Sequence, residues 1–356
     1  MANKNIRSLS SRKGLDDNLF ENIAGLSHKN AQKKEFQKLA KRFFMDDSVI
    51  VGTSSFYDFT REENRNKKIH VCSGTACMVA KTQTDLRKNI EKHFKKDEIG
   101  HAACVGRCHT NKAFMFDDKT FSASKEAELS SIISNKKYQN NTYNVDCNTT
   151  PVLTSKIENV SNFYALSRKF KADPQQVIQE IKTSNLRGRG GAGFPFWFKL
   201  DAVIKEPLDS AQEDTQKYIV CNADEGDPGA YSDMYLLENQ PHKVLFGMYM
   251  SGITVGANTG VLYIRGEYPD SIRIVSNAIE ELKDNNLIGN FKFKIIRGQG
   301  SYICGEETAL LNSIEGLRPE VRVRPPYPTL VSYTHLTLPT ICSGYLSVPV
   351  LSLTKK

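Results

Sequence analysis

YIVCNADEGDPGAYSD, residues 218–233, is an apolar run that breaks at Asn222 into three clustered carboxylates, Asp224, Glu225 and Asp227, before a Pro228–Gly229 turn. In open α/β sheets ligands bind at the carboxyl ends of strands, so such a run reads as a buried strand delivering polar groups to a site. Helix and strand patterns alternate around it. PQQVIQEI (174–181), HKVLFGMYMSGI (242–253), SIRIVSNAIEEL (271–282) and ETALLNSIEG (307–316) have helical periodicity, whereas YIV (218–220), GVLYI (260–264) and FKFKII (291–296) read as strands. That alternation predicts an α/β layer with a largely parallel sheet. Ile272, Val275, Ile279 and Leu282 share one helix face and are expected in its core.

A chain of 356 residues suggests two or three domains, and 39% hydrophobic with 25% charged residues suits globular folding. No apolar run is long enough to span a bilayer. The 48 basic and 40 acidic residues leave +8, and residues 1–70 alone hold 14 basic against 9 acidic, so the excess is front-loaded and not a nucleic-acid stripe. In residues 29–45, Phe36, Leu39, Phe43 and Phe44 fall near helical spacing on a basic background, which predicts a packed amphipathic helix. Eight cysteines are too few for a disulfide scaffold, and the first residues lack the apolar stretch of a secretory signal, so a reducing, cytoplasmic setting is expected.

Half of those cysteines, Cys72, Cys77, Cys104 and Cys108, fall in a C-x4-C-x26-C-x3-C pattern within VCSGTAC and AACVGRC. Two thiol pairs on Gly-containing loops can converge on zinc or on an iron–sulfur centre, and spacing alone leaves the metal open. The strand IHVC (69–72), the helix LRKNIEKHF (86–94), the strand AFMF (113–116), a turn at Asp117–Asp118 and the helix SKEAELSSIIS (124–134) surround them as a small mixed unit. An Asn- and Thr-rich stretch at 140–151 then reads as a linker, with Cys147 incidental to it.

In LRGRGGAGFPFWFKL (186–200), Gly188, Gly190 and Gly193 satisfy G-x-G-x-x-G, but the match follows a helical pattern where the Rossmann fingerprint follows a strand. A glycine loop with Arg187, Arg189 and Lys199 still suits close approach to a phosphate or a flat ring. Clustered carboxylates at 224–227 would repel phosphate yet accept hydrogen bonds from ribose, ribityl or amide groups. Cys221 and Cys304 are expected as packed residues.

In this order, LRGRGGAGFP, CNADEGDPGAYSD, YIRGEYPDSI, GSYICGEETALLNSIEGLRP and RPPYP resemble the FMN- and NADH-binding flavoprotein subunit of complex I and the diaphorase subunits of NAD-reducing hydrogenases and NAD-dependent formate dehydrogenases. SSFYDF (54–59) with the two cysteine motifs resembles that system's thioredoxin-like [2Fe–2S] ferredoxin module. The resemblance implies an α/β fold of N-terminal helices (1–67), the ferredoxin domain (68–139), a linker (140–160) and an incomplete FMN/NADH-binding domain (161–330) that is not a Rossmann fold. It also implies that Cys72, Cys77, Cys104 and Cys108 hold a [2Fe–2S] cluster. FMN would lie against Gly188, Arg189, Gly190, Gly191 and Lys199, with Asn222, Asp224 and Glu225 on its ribityl and ring. Tyr302, Gly305, Glu306 and Glu307 would close over flavin and nicotinamide, with Phe194 and Tyr327 against adenine; Glu225 and Glu307 are the catalytic candidates. The implied activity is hydride transfer from NADH to FMN, then single electrons to iron–sulfur partners of a complex I, hydrogenase or formate dehydrogenase type of assembly, peripheral at most to a membrane. A non-enzymatic [2Fe–2S] subunit with a degenerate flavin domain is the alternative, and a zinc-binding interaction protein a further one.

From Val331 the pattern breaks: VSYTHL (331–336) resembles a translated transposase adapter, so 331–356 are expected to be a non-native tail, Cys342 included. Two departures from the family concern the nucleotide. Asp227 replaces a Glu near the adenosine ribose and Arg324 replaces a Lys, and the shorter carboxylate with an arginine fork tolerates a 2′-phosphate better. The expected outcome is measurable reduction with NADPH beside NADH; strict NADH use in a rate comparison contradicts it.

Overall fold

The computed structural model describes residues 15–323, apart from 136, 138, 140–142, 144, 146–147, 149, 172, 189–192 and 206–216, together with the backbone of 341–344. Three helices come first: α1 (Leu19–His28), α2 (Lys33–Arg42) and α3 (Asp47–Ser54). Asn18 caps α1 by accepting from the Glu21 N–H, and Asp46 caps α3 through the Ser48 N–H, each satisfying an otherwise orphan donor. Leu19, Ile23, Leu39, Ala40, Phe43 and Ile50 form their shared core. Phe44 departs from the expected face: it lies beyond the end of α2 at φ 52°, and 62% of it is exposed.

The small sheet has the order β2-β1-β3-β4. β1 (Ile69–Cys72) pairs in parallel with β2 (Ile99–Ala102) and antiparallel with β3 (Ala113–Phe116), which pairs with β4 (Lys119–Ser122). Asp117 and Asp118 both take positive φ, 51° and 53°, the geometry of a tight hairpin that Asp accommodates. The helices α4 (Thr75–Val79), α5 (Gln83–Ile90) and α6 (Glu126–Asn135) complete the unit. Leu86, Ile90 and Leu129 pack with Ile69, Val71 and Phe114.

The larger unit begins with α7 (Val160–Ala165), α8 (Ser167–Lys171), α9 (Pro174–Thr183) and α10 (Phe196–Lys205). Its sheet is parallel throughout, in the order β7-β6-β5-β8, from β5 (Tyr218–Ala223), β6 (Thr259–Ile264), β7 (Lys292–Arg297) and β8 (Ile341–Gly344). Between the strands run α11 (Ser232–Asn239), α12 (Pro241–Val255) and α13 (Pro269–Asp284), with α14 (Glu307–Ile314) after β7. α12 is buried nearly all round, opened by Pro241 and closed by Gly256 at φ 77°. Val275, Ile279 and Leu282 are buried as expected, and Ile272 packs half-buried against the same core. The glycine loop joins α9 to α10 and so follows a helix, unlike the Rossmann turn. β8 falls in the segment expected to be a non-native tail, and its backbone pairs with β5 from Tyr218↔Ile341 to Cys221↔Gly344.

The N-terminal helices are not a separate appendage. Asn18 Nδ2 donates to the Ile314 carbonyl at 2.7 Å, Thr53 Oγ1 to that of Gly316 at 3.2 Å, and Tyr57 OH to Ser313 Oγ at 2.9 Å, so they clasp the end of α14. The segment read as a linker is fastened as well. The buried Lys243 ammonium donates to the carbonyls of Val152, Leu153 and Ser155 at 2.7, 3.1 and 2.6 Å. Replacing Lys243 by Met should cost about 1–3 kcal/mol in a denaturation curve and make residues 152–155 the first site of limited proteolysis; unchanged stability and cleavage contradict this role.

Candidate functional site

β1 ends on Cys72, and the turn after β2 carries Cys104 and Cys108, so parallel pairing of these strands brings two separate motifs together. Cys72 is in hydrogen-bond contact with both Cys77 and Cys104, and Cys104 Sγ lies 3.3 Å from Cys108 Sγ. The four thiols therefore form a row, Cys77–Cys72–Cys104–Cys108. Proton sharing along it pushes Cys72 and Cys108 up and holds Cys77 and Cys104 down. Among the described residues, no three His, Cys, Asp or Glu side chains form a group suited to one metal ion. Four thiols brought together from two loops are the donor set of a tetrahedral zinc or of the two irons of a [2Fe–2S] cluster. Backbone N–H groups of Gly74 and Gly229 donate to Cys72 Sγ at 3.4 Å and to Cys108 Sγ at 3.1 Å, which favours negative charge on sulfur.

Gly229 belongs to the acidic loop after β5, so the two candidate sites share a wall. The contact is close: Gly106 sits at φ 76°, and a Cβ there would fall 2.5 Å from Met234 Sδ and 2.8 Å from Tyr268 Cε1. Only glycine lets the cysteine loop lie against α11 and the start of α13.

On the other side of the wall, Asn222 Nδ2 donates to the Gly305 carbonyl at 2.8 Å, joining the end of β5 to the segment before α14. Lys199, on α10, lies 3.4 Å from Glu307 Oε2, both largely shielded. Tyr302 is 67% exposed and covers Gly226, its hydroxyl donating to Asp227 Oδ1 at 2.6 Å. Phe194 and Phe198 stand exposed edge to face at 5.5 Å beside them. Gly188 N–H donates to the Phe194 carbonyl at 2.8 Å, which closes the glycine loop. The sequence-expected Arg189, Gly190, Gly191, Arg324 and Tyr327 lie outside the described residues.

Two expected site carboxylates already hold backbone. Glu306 caps α14 by accepting from the Thr308 and Ala309 N–H groups at 2.8 and 2.9 Å. Glu225 accepts from the N–H groups of Asp233 and Met234 at 3.1 and 3.2 Å and from Ser232 Oγ at 3.0 Å, at the start of α11. Negative charge at these helix starts is stabilised by the dipole, so both side chains are anchors of the loops that carry them. Asp224 differs: it is 8% exposed, its Oδ2 has no partner among the described residues, and burial pushes it up to about 8. A buried orphan carboxyl facing Gly305 suits a polyol or ring nitrogen that would pair with it, so the residues fit a flavin.

The buried Arg265, at the end of β6, carries no assignment in the sequence reading. Its Nη1 donates to the Glu225 carbonyl at 2.6 Å, its Nη2 pairs with the buried Glu267 at 3.1 Å, and it lies 4.9 Å over the Tyr268 ring. YIRGEYPDSI was visible as a motif, but no spacing rule shows that its arginine turns inward.

Two family models match the chain: the thioredoxin-like [2Fe–2S] ferredoxin over residues 26–137 and the Nuo51 FMN-binding domain over residues 181–340. The chain joins a [2Fe–2S] ferredoxin domain to a Nuo51 FMN-binding domain. The ferredoxin match starts within α1, taking in helices that the sequence reading set apart. The F 2 subunit of the NADH-quinone oxidoreductase of Rhizobium meliloti is 44% identical over 165 residues, 44% of this chain and 38% of its own length. The HndC subunit of the NADP-reducing hydrogenase of Solidesulfovibrio fructosivorans is 39% identical over 179 residues, 48% of this chain and 35% of its own. The alpha subunit of the NAD-reducing hydrogenase HoxS of Cupriavidus necator is 29% identical over 324 residues, 80% of this chain and 52% of its own, and so spans both domains. A solved NAD+-reducing [NiFe]-hydrogenase in the H2-reduced state shares the fold at TM-score 0.70 and 24% identity, over 86% of this chain and 56% of that one. The chain thus spans about half, or less, of the length of these proteins.

Asp224 gives the FMN-binding domain a pH signature. Its folded-state value, about 8 against an ordinary 3.8, means the native state keeps a proton that the unfolded chain has released. Stability from this group is complete below pH 3.8 and is lost as pH rises to about 8. Each pH unit within that window costs about 1.4 kcal/mol. Asp224→Asn should flatten the decline in urea unfolding of flavin-free protein; an unchanged slope contradicts it.

Proposed function

We propose that this chain is the NADH-oxidising electron-transfer module of a larger redox assembly. FMN occupies the pocket between the glycine loop, the acidic loop and the start of α14, and a [2Fe–2S] cluster occupies the four-cysteine row. The observation that carries this reading is the shared wall: Gly229, in the acidic loop of the flavin pocket, donates directly to the cluster ligand Cys108. FMN and a cluster held in these places would lie on either side of one loop, an arrangement suited to direct electron transfer between them.

The residues have distinct tasks. When bound, FMN supplies a two-electron acceptor for hydride that can release its electrons singly. Lys199 and Gly188, with Arg189, Gly190 and Gly191 as the further residues proposed from the sequence, would hold its phosphate. Asn222 and Asp224 hold the polyol and ring, and Asn222 also ties β5 to the Gly305 turn. Glu307, paired with Lys199, would orient the incoming nicotinamide ring, a positioning task rather than proton transfer. Glu225 and Glu306 keep the pocket walls rigid through their helix caps. Tyr302, Phe194 and Tyr327 offer aromatic faces to the nucleotide.

NADH is the proposed donor, as the names of the Rhizobium and Cupriavidus relatives support; the NADP-reducing relative supports tolerance of NADPH. Iron–sulfur subunits of a hydrogenase or complex I type are the proposed acceptors. Among the described residues no helix is long and apolar enough to cross a membrane, and a cytoplasmic site with peripheral assembly fits that.

The test is anaerobic addition of NADH to purified protein with its flavin and iron content measured. Stoichiometric FMN, bleaching of flavin absorbance, and loss of iron but not of flavin in Cys72→Ser are expected. Glu307→Gln should slow bleaching by about tenfold or more, the loss of one charged contact to the reacting complex. Protein that holds zinc or no metal, or binds flavin that NADH leaves oxidised, contradicts the reading.

A further inference from the structure

Arg265 is 3% exposed and Glu267 beside it 2%, so both charges are shut away from water. A charged pair inside a protein is retained at a desolvation cost, so its position invites a functional account. Three contacts fix the guanidinium: the Glu225 carbonyl at 2.6 Å, Glu267 Oε1 at 3.1 Å and the Tyr268 ring at 4.9 Å. Tyr268 in turn lies against Gly106, two residues from Cys104 and two from Cys108. Arg265 thus stands behind the wall shared by the two sites, attached directly to the acidic loop and linked to the cysteine loop through the Tyr268 ring.

We propose that Arg265 is a positioning residue that sets the reduction potential of the cluster, by fixing a positive charge behind the Tyr268 ring that packs on the cysteine loop while tying that charge to the acidic loop of the flavin pocket. The proposal rests on the [2Fe–2S] assignment above. Reduction adds one electron to the cluster and breaks no bond, so the reduced form carries one more negative charge. A nearby cation favours the reduced form, a nearby anion the oxidised one, and low dielectric makes both effects larger than at a surface. Arg265 and Glu267 therefore pull in opposite directions, the glutamate setting how much of the arginine's charge reaches the cysteine loop.

The experiment is a redox titration of the full chain, followed by electron paramagnetic resonance of the reduced cluster. Arg265→Gln should shift the reduction equilibrium at least tenfold toward the oxidised form, about 59 mV lower for one electron. Arg265→Lys should recover most of that shift, because it restores charge without the fork. Glu267→Gln should move the potential upward, the reverse of any common effect of loosened packing. Should Arg265→Gln fail to fold, the lysine and Glu267→Gln variants still decide. Potentials that stay at the unsubstituted value, or that fall in both Arg265→Gln and Glu267→Gln, overturn the proposal while leaving the cluster assignment intact. Absence of any cluster signal in the unsubstituted chain overturns the assignment and the proposal together.

Discussion

A guanidinium shut away from water has to be satisfied by its surroundings, and the surroundings of Arg265 are the junction on which the architecture depends. It binds a carbonyl of the acidic loop, pairs with Glu267 at the end of its own strand, and packs over the ring that receives Gly106 of the cysteine loop. Removing one member of such a group leaves an uncompensated charge or an orphan carbonyl, at a cost of several kcal/mol, on the order of 3–5. Polar contacts of defined geometry cross between the two domains beside this group, from the Gly229 N–H to Cys108 and from Thr120 to Asp270, together with the apolar packing of Tyr268 on Gly106.

The same constraint appears in the acidic residues. Glu225 and Glu306 look in the sequence like groups waiting for a ligand, but each commits its carboxylate to the first turn of a helix. Capping fixes the loops at both ends of the pocket, and Asn222 links them by donating to Gly305. Asp224, buried among these fixed groups, is left with an oxygen that has no partner among the described residues. Rigid walls around an unsatisfied polar atom are what a site prepared for a polar cofactor requires. At the far end, the N-terminal helices hold α14 through Asn18, Thr53 and Tyr57, so a segment distant in sequence steadies the helix whose start lines the pocket.

Much of this was legible from residue patterns. The strands at 69–72, 113–116, 218–220, 260–264 and 291–296 follow from β-branched and aromatic runs with clear ends, and the Asp117–Asp118 hairpin from turn chemistry. The four cysteines announced themselves by spacing, and the parallel pairing of β1 and β2 brings their two motifs together. What the patterns could not supply was contact between distant segments. Phe44 shares helical spacing with Phe43, yet the helix stops at Arg42 and turns it outward. Lys243 sits in an apolar helical run and gave no sign that it fastens residues 152–155. Arg265 is one arginine among many until β6 places it in the interior, because burial of a charge is decided by tertiary packing and not by its neighbours in the chain.

The central claim is that flavin pocket and cluster act as one unit across a shared wall, and rapid-freeze electron paramagnetic resonance after mixing with NADH tests it most directly. If the account holds, the reduced-cluster signal rises with the loss of flavin absorbance, within a single turnover and without added carrier. Flavin that bleaches promptly while the cluster stays oxidised would contradict it.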